Sequence, residues 1–131
     1  MSFTADIRTF VKKANGNVQL AVRQTVVLVA QGLIMTTPVD TGRARANWVF
    51  GAGRADVSFE WNRYDPGGNS ALARIAAQAT AQYQPIMYVT NSLPYIGRLE
   101  TGYSKQAPAG MVMVTLTDIQ RRLDAYVRGL A

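Results

Sequence analysis

The chain has 131 residues, 48% hydrophobic and 17% charged: enough for one domain with a real core, and too little charge for a disordered chain. Its net charge of +6 comes mostly from arginine, eleven Arg against three Lys, which suits bidentate contacts to carboxylates or phosphates. Cysteine and histidine are absent, which excludes disulfides, a thiol nucleophile, a thiolate metal site, a Ser-His-Asp triad and a histidine general base.

The N-terminal "MSFTADIRTF" carries acidic and polar residues where a secretory signal needs an apolar core. Phe3, Ile7, Phe10, Val11 and Ala14 instead recur at helical spacing. "NGN" at 15–17 breaks that pattern. A second helix follows, with Val18, Ala21 or Val22, Val26, Val29 and Leu33 as its apolar stripe. It should end before Pro38, because a residue preceding proline avoids helical angles. The run "VVLVAQGLIM" within it falls well short of the roughly 20 residues a membrane span needs. A soluble protein made in the cytoplasm is expected.

From Arg43 the period changes. Ala46, Trp48 and Phe50 alternate with Arg45, Asn47 and Val49, and Val57, Phe59 and Trp61 alternate with Ser58, Glu60 and Asn62. The pattern predicts two half-buried strands paired as an antiparallel hairpin. "YDPGGNS" at 64–70 is a turn cluster, and Asn69 or Ser70 should cap a short helix carrying Leu72, Ile75, Ala76 and Ala79 on one face. "IMYVT" at 86–90 reads as a third strand, and Pro94 opens a helical piece, "PYIGRLE". The stretch 101–110 is a loop. From Met111, Val112, Leu116, Ile119, Leu123 and Val127 fit a final helix, although "MVMVTLT" also alternates as a strand would. The expected fold is α+β: one domain over residues 1–131, with a small antiparallel sheet of about three to four strands packed against N-terminal and C-terminal helices.

Little here is catalytic in type. "GAG" at 51–53 lacks the third glycine and the following helix of a dinucleotide loop, and no Walker-type sequence exists. The carboxylates Asp6, Asp40, Asp56, Glu60, Asp65, Glu100, Asp118 and Asp124 are scattered. A metal-dependent nuclease would need several of them converging beside a lysine, and only Lys105 lies near an acid, Glu100. No cofactor, metal site or enzymatic activity is expected.

Basic loops are the stronger signal. Arg43, Arg45, Arg98 and Lys105 lie in or beside loops, interleaved with Tyr95 and Tyr103. Single-strand nucleic-acid binders combine such charges with stacking platforms. The same arginines could pair with Asp40 and Glu100, or with a neighbouring subunit's acids. "PVDTG" at 38–42 reads as a rigid corner: proline ends the helix, Asp40 accepts backbone N–H groups, and Gly42 permits positive φ.

Two segments, "TPVDTGRARANW" (37–48) and "YVTNSLPYIGRLETGYSKQAPAGMV" (88–112), resemble the paired signatures of tailed-bacteriophage neck and tail-completion proteins, the group that includes minor tail protein Z. In that group a helix runs into a "TPVDTG-R-R-W" corner, and a strand ending in Asn leads to "PY…LE-G-S-QAP-GM" and a last helix. The stretch 56–84 carries no such signature. The resemblance implies a virion structural protein without enzymatic activity, present in roughly six copies as a ring at the head–tail junction. Its partners would be other copies of itself, the head-closure or connector protein, and the tail terminator or tail tube, with no membrane. Inward-facing arginines could meet genomic DNA phosphates without reading sequence. Arg43, Arg45, Arg98, Glu100, Tyr103 and Lys105 are the expected contact residues. Asp40, Gly42, Trp48, Pro94 and Gly102 are the expected scaffold of the two blocks, with Asp40 and Glu100 pairing with arginines across them. The competing readings are a small basic DNA-binding module and, more remotely, a metal-dependent nuclease relying on Asp40 or Glu100.

Overall fold

The structure, a computed structural model, describes residues 18–84, 86–102 and 110–130, with side chains described within 22–121 of these ranges. The first predicted helix, residues 3–14, and most of the 101–110 loop lie outside the described residues. Helix α1 spans Val18–Thr36. It stops two residues before Pro38, as the sequence predicts. Its last turn is finished by side chains: the Thr36 hydroxyl donates to Gly32 O at 2.7 Å and the Thr37 hydroxyl to Leu33 O. Both hydroxyls bind back onto carbonyls of the helix's own last turn.

The strand predicted from Arg43 begins later. Arg43–Ala46 forms a single helical turn, α2, and strand β1 runs only from Val49 to Ala52. In "RARA" the small residues Ala44 and Ala46 are buried, and one helical turn accommodates this as well as a strand does. Gly42 decides the matter. It sits at φ 89°, and its carbonyl accepts the Ala46 N–H at 3.0 Å, closing the turn. A Cβ at Gly42 would also stand 2.4 Å from Pro66 N.

β1 pairs antiparallel with β2 (Met87–Thr90), the segment predicted as the third strand, in the register Val49↔Thr90, Phe50↔Val89, Gly51↔Tyr88 and Ala52↔Met87. The predicted hairpin partner, 57–61, forms no strand, so the sheet has two strands among the described residues rather than three or four. Three local features explain the difference. The chain folds back directly after β1, so that a Cβ on Gly51 would lie 2.2 Å from Arg54 O. Asp56 Oδ1 accepts both the Ser58 N–H at 2.9 Å and the Ser58 hydroxyl at 2.6 Å, a local turn that competes with ladder bonding. The hydroxyl and then the N–H hold the Asp56 carboxyl below its ordinary range. Finally, the buried Asn47 side chain binds the Glu60 backbone on both sides, accepting its N–H at 2.7 Å and donating to its carbonyl at 3.0 Å.

Helix α3 covers Asn69–Ala81, with Ala71, Ile75 and Ala79 buried at a spacing of one turn. Neither Asn69 nor Ser70 caps it. Gly68 holds the cap position, and Asp65 Oδ2 accepts the Ala71 N–H at 2.9 Å from outside the helix. Short α4 (Ile96–Glu100) follows β2, and α5 (Val112–Leu130) is helical from its start. α1 packs on α3 and α5, and α3 packs on β1. The core joins Ala30, Leu33 and Ile34 of α1 to Trp48, Phe50, Ala71, Ile75, Ala79 and Met111. Met87 and Val89 pack against it from the sheet. The architecture is α+β, a small antiparallel sheet with helices. No helix among the described residues is long and apolar enough to cross a membrane.

Candidate functional site

The two signature segments meet. Asn91, at the end of β2, donates to Ala44 O at 2.8 Å, tying the second segment to the helical turn of the first. Between them lies an open cleft of about 510 Å³. Residues 38–44 form one side, and Tyr95, Leu99 and Trp61 line the rest.

Arg43 dominates this cleft. Its Nε–H donates to Trp61 O, and Nη2 donates to the Tyr64 hydroxyl at 2.6 Å. The guanidinium stands 4.0 Å from the Trp61 ring centroid and 5.1 Å from that of Tyr64, both within cation–π range. Tyr95 closes the group with an edge-on contact to Trp61, centroids 6.3 Å apart at 82°. Burial pushes the Tyr95 hydroxyl above its ordinary pKa, opposed by the charge and hydrogen bond of Arg43. Arg43 is thus held by three aromatics, and its cationic edge is fixed in direction.

Arg45 is engaged within its own chain. Nε donates to Thr37 O at 3.0 Å, Nη1 to Pro66 O at 2.9 Å and Nη2 to Met35 O at 3.1 Å. Two of these carbonyls belong to the last turn of α1 and the residue beyond it, where a cation also complements the helix dipole. The planar fork fits three carbonyls at once.

Glu100 does not pair with arginine, and Asp40 does not either, among the described residues. The expected ion pairs across the two segments are therefore replaced by a helix cap. Glu100 Oε1 accepts the N–H groups of Met111 at 2.8 Å and Val112 at 2.7 Å, and Oε2 accepts that of Met113 at 3.2 Å. These are donors that the start of α5 would otherwise leave open, and a carboxylate suits that end of the dipole. Gly110 allows the approach: its φ is +84°, and a Cβ would lie 2.3 Å from Glu100 O.

Asp40 is exposed at the rim of the cleft, and the corner turn it was expected to close is made instead by the Thr41 hydroxyl, which accepts the Arg43 N–H at 3.3 Å. Trp48 is buried and donates from Nε1 to the Thr37 hydroxyl at 2.8 Å. Arg98 and Pro94 are exposed on and before α4. Gly102 has φ 89° at the start of the loop. Tyr103 and Lys105 lie outside the described residues.

Sequence reasoning missed Asn47, Asn91, Asp65 and Arg74, which hold this region together. Arg74 reaches Ala46 O at 3.1 Å and Trp48 O at 2.9 Å. Burial, then the nearby charge of Arg63, lowers its pKa. The available signal was weak: lone amides flanking a strand, and one cation on an otherwise small-residue helix. Among the described residues no three His, Cys, Asp or Glu side chains converge in a way that could hold a metal. No protein-family model, curated protein or solved structure matches the chain.

Proposed function

We propose that the chain is a structural subunit of a tailed phage or prophage, resident in the virion at the head–tail junction. Copies assemble, roughly six to a ring, with one face toward the head-closure or connector protein and the other toward the tail terminator or tube. The role is assembly, without catalysis. One observation carries the reading: the two segments that resemble neck and tail-completion proteins pack into a single cleft, joined by Asn91 and Ala44 and centred on the caged Arg43. Arg43 and the exposed Arg98 are the contacts offered to partners or to the genome path, and Tyr103 and Lys105 extend that set. Arg45, Glu100, Gly42 and Trp48 hold the shape that presents them.

Complementation tests this. Purified chain added to a lysate lacking the gene should join preformed heads to tails and restore infectivity. An inert addition, together with a salt-steep gel shift by the free chain, would favour the DNA-binding module instead.

A further inference from the structure

One sequence pattern finds no place in the single subunit. Residues 57–61 alternate as a strand does, yet they join no strand of the sheet, and Val57, Phe59 and Trp61 are 70%, 41% and 48% exposed. Asn47 holds the Glu60 backbone through both its N–H and its carbonyl, and the Trp61 carbonyl accepts from Arg43. The backbone groups of Val57 and Phe59 have no hydrogen-bond partner among the described residues.

The sheet has the matching half. β2 is bonded only to β1 among the described residues, so its other edge is open. Met87–Thr90 contains no charge and no proline, the devices that normally guard an edge strand. Tyr88 is 39% exposed and Ile86, just before it, 61%. Within one subunit the two halves are kept apart. The 57–61 segment is pinned at Asn47, beside the start of β1, and β1 occupies the bonded edge of β2.

We propose that the segment around Val57 and Phe59 of one copy adds as a short strand to the free edge of β2 in the next copy. The occupant of the edge is a second copy of this chain, because the chain itself carries the unpaired, strand-patterned segment that fits it. Backbone bonds would give affinity, and the apolar side chains of Val57 and Phe59 would cover Ile86 and Tyr88. The contact joins two different patches, so it is head-to-tail and propagates from copy to copy. The inference deepens the ring reading and rests on it only for closure of that propagation.

The chain has no cysteine, so engineered thiols report cleanly. Full-length Phe59→Cys and Tyr88→Cys proteins are mixed at high concentration and oxidised. The mixed disulfide dimer should exceed either homodimer several-fold, and the chain carrying both changes should give a ladder of multimers. Adding Tyr88→Lys to the Phe59→Cys chain charges only that chain's own edge and should leave its cross-link to the Tyr88→Cys partner unchanged, whereas Ile86→Lys placed on the Tyr88→Cys chain should abolish it. Cross-linking no stronger than with Gln82→Cys, in the exposed turn after α3, would overturn the proposal. So would predominance of the Tyr88→Cys homodimer, which would mean the edge pairs with itself, or an exclusively intramolecular bond in the double variant. The neck role is judged separately, by particle morphology: cross-links alongside normal particles in the absence of the gene would keep the strand contact and remove the neck reading, and the reverse pair of results would do the opposite.

Discussion

Replacing Glu100 by alanine removes three acceptors from the first turn of α5, at 2.8, 2.7 and 3.2 Å. Loss of an N-terminal cap costs about 1 kcal/mol. Loss of a carboxylate at the positive end of the helix adds roughly 0.3–1 kcal/mol. Glu100 is only half-buried, so water reaches the freed N–H groups and the full desolvation penalty does not apply. The sum is about 1.3–2 kcal/mol, or a fall in Tm of about 4–8 °C for a domain of this size. Glu100→Gln keeps one oxygen for Met111 and Val112 but loses the charge and faces an amide NH₂ toward Met113, so it should cost about half as much. Urea unfolding followed by tryptophan fluorescence measures both, with an unchanged slope expected. Arg98→Ala should leave stability within about 0.5 kcal/mol of the parent. A Glu100→Ala variant as stable as the parent would refute the capping account. So would an Arg98→Ala loss equal to that of Glu100→Ala, since it would restore an ion pair.

Arg45→Lys should cost about 1–2 kcal/mol in the same assay, because one ammonium cannot span the carbonyls of Met35, Thr37 and Pro66. Gly42→Ala should cost at least about 2 kcal/mol from its left-handed φ and the Pro66 contact. Gly97→Ala, in α4 with open space around it, should be neutral or mildly stabilising. Tyr95 should ionise above the tyrosine norm of about 10 in an absorbance titration. Its neutral form is favoured in the folded state, so stability is level below that value and falls as pH rises through the raised one; Tyr95→Phe should remove this dependence.

Long-range order was legible where pattern and punctuation agreed. Pro38 ended α1, the apolar spacing from Val112 identified α5, and "IMYVT" located β2. The hairpin was misassigned because alternation at 57–61 is a statement about side chains, whereas pairing was decided by Asn47, Asp56 and the close approach at Gly51. Alternation also could not distinguish a strand from the one helical turn of "RARA", where Gly42 set the outcome. At the site, sequence marked Arg43 among the basic residues in or beside loops and Tyr95 among the aromatics interleaved with them, but did not show that Trp61, from a stretch without signature, would join them. Glu100 was marked as charged and near a loop. That its partners are three backbone N–H groups eleven to thirteen residues later follows only from how the loop closes.

Electron microscopy of particles made without this gene tests the central claim most directly. The account predicts filled heads and free tails lying separately, joined again when the gene is supplied in trans. Intact, infectious particles from the deleted genome would contradict it.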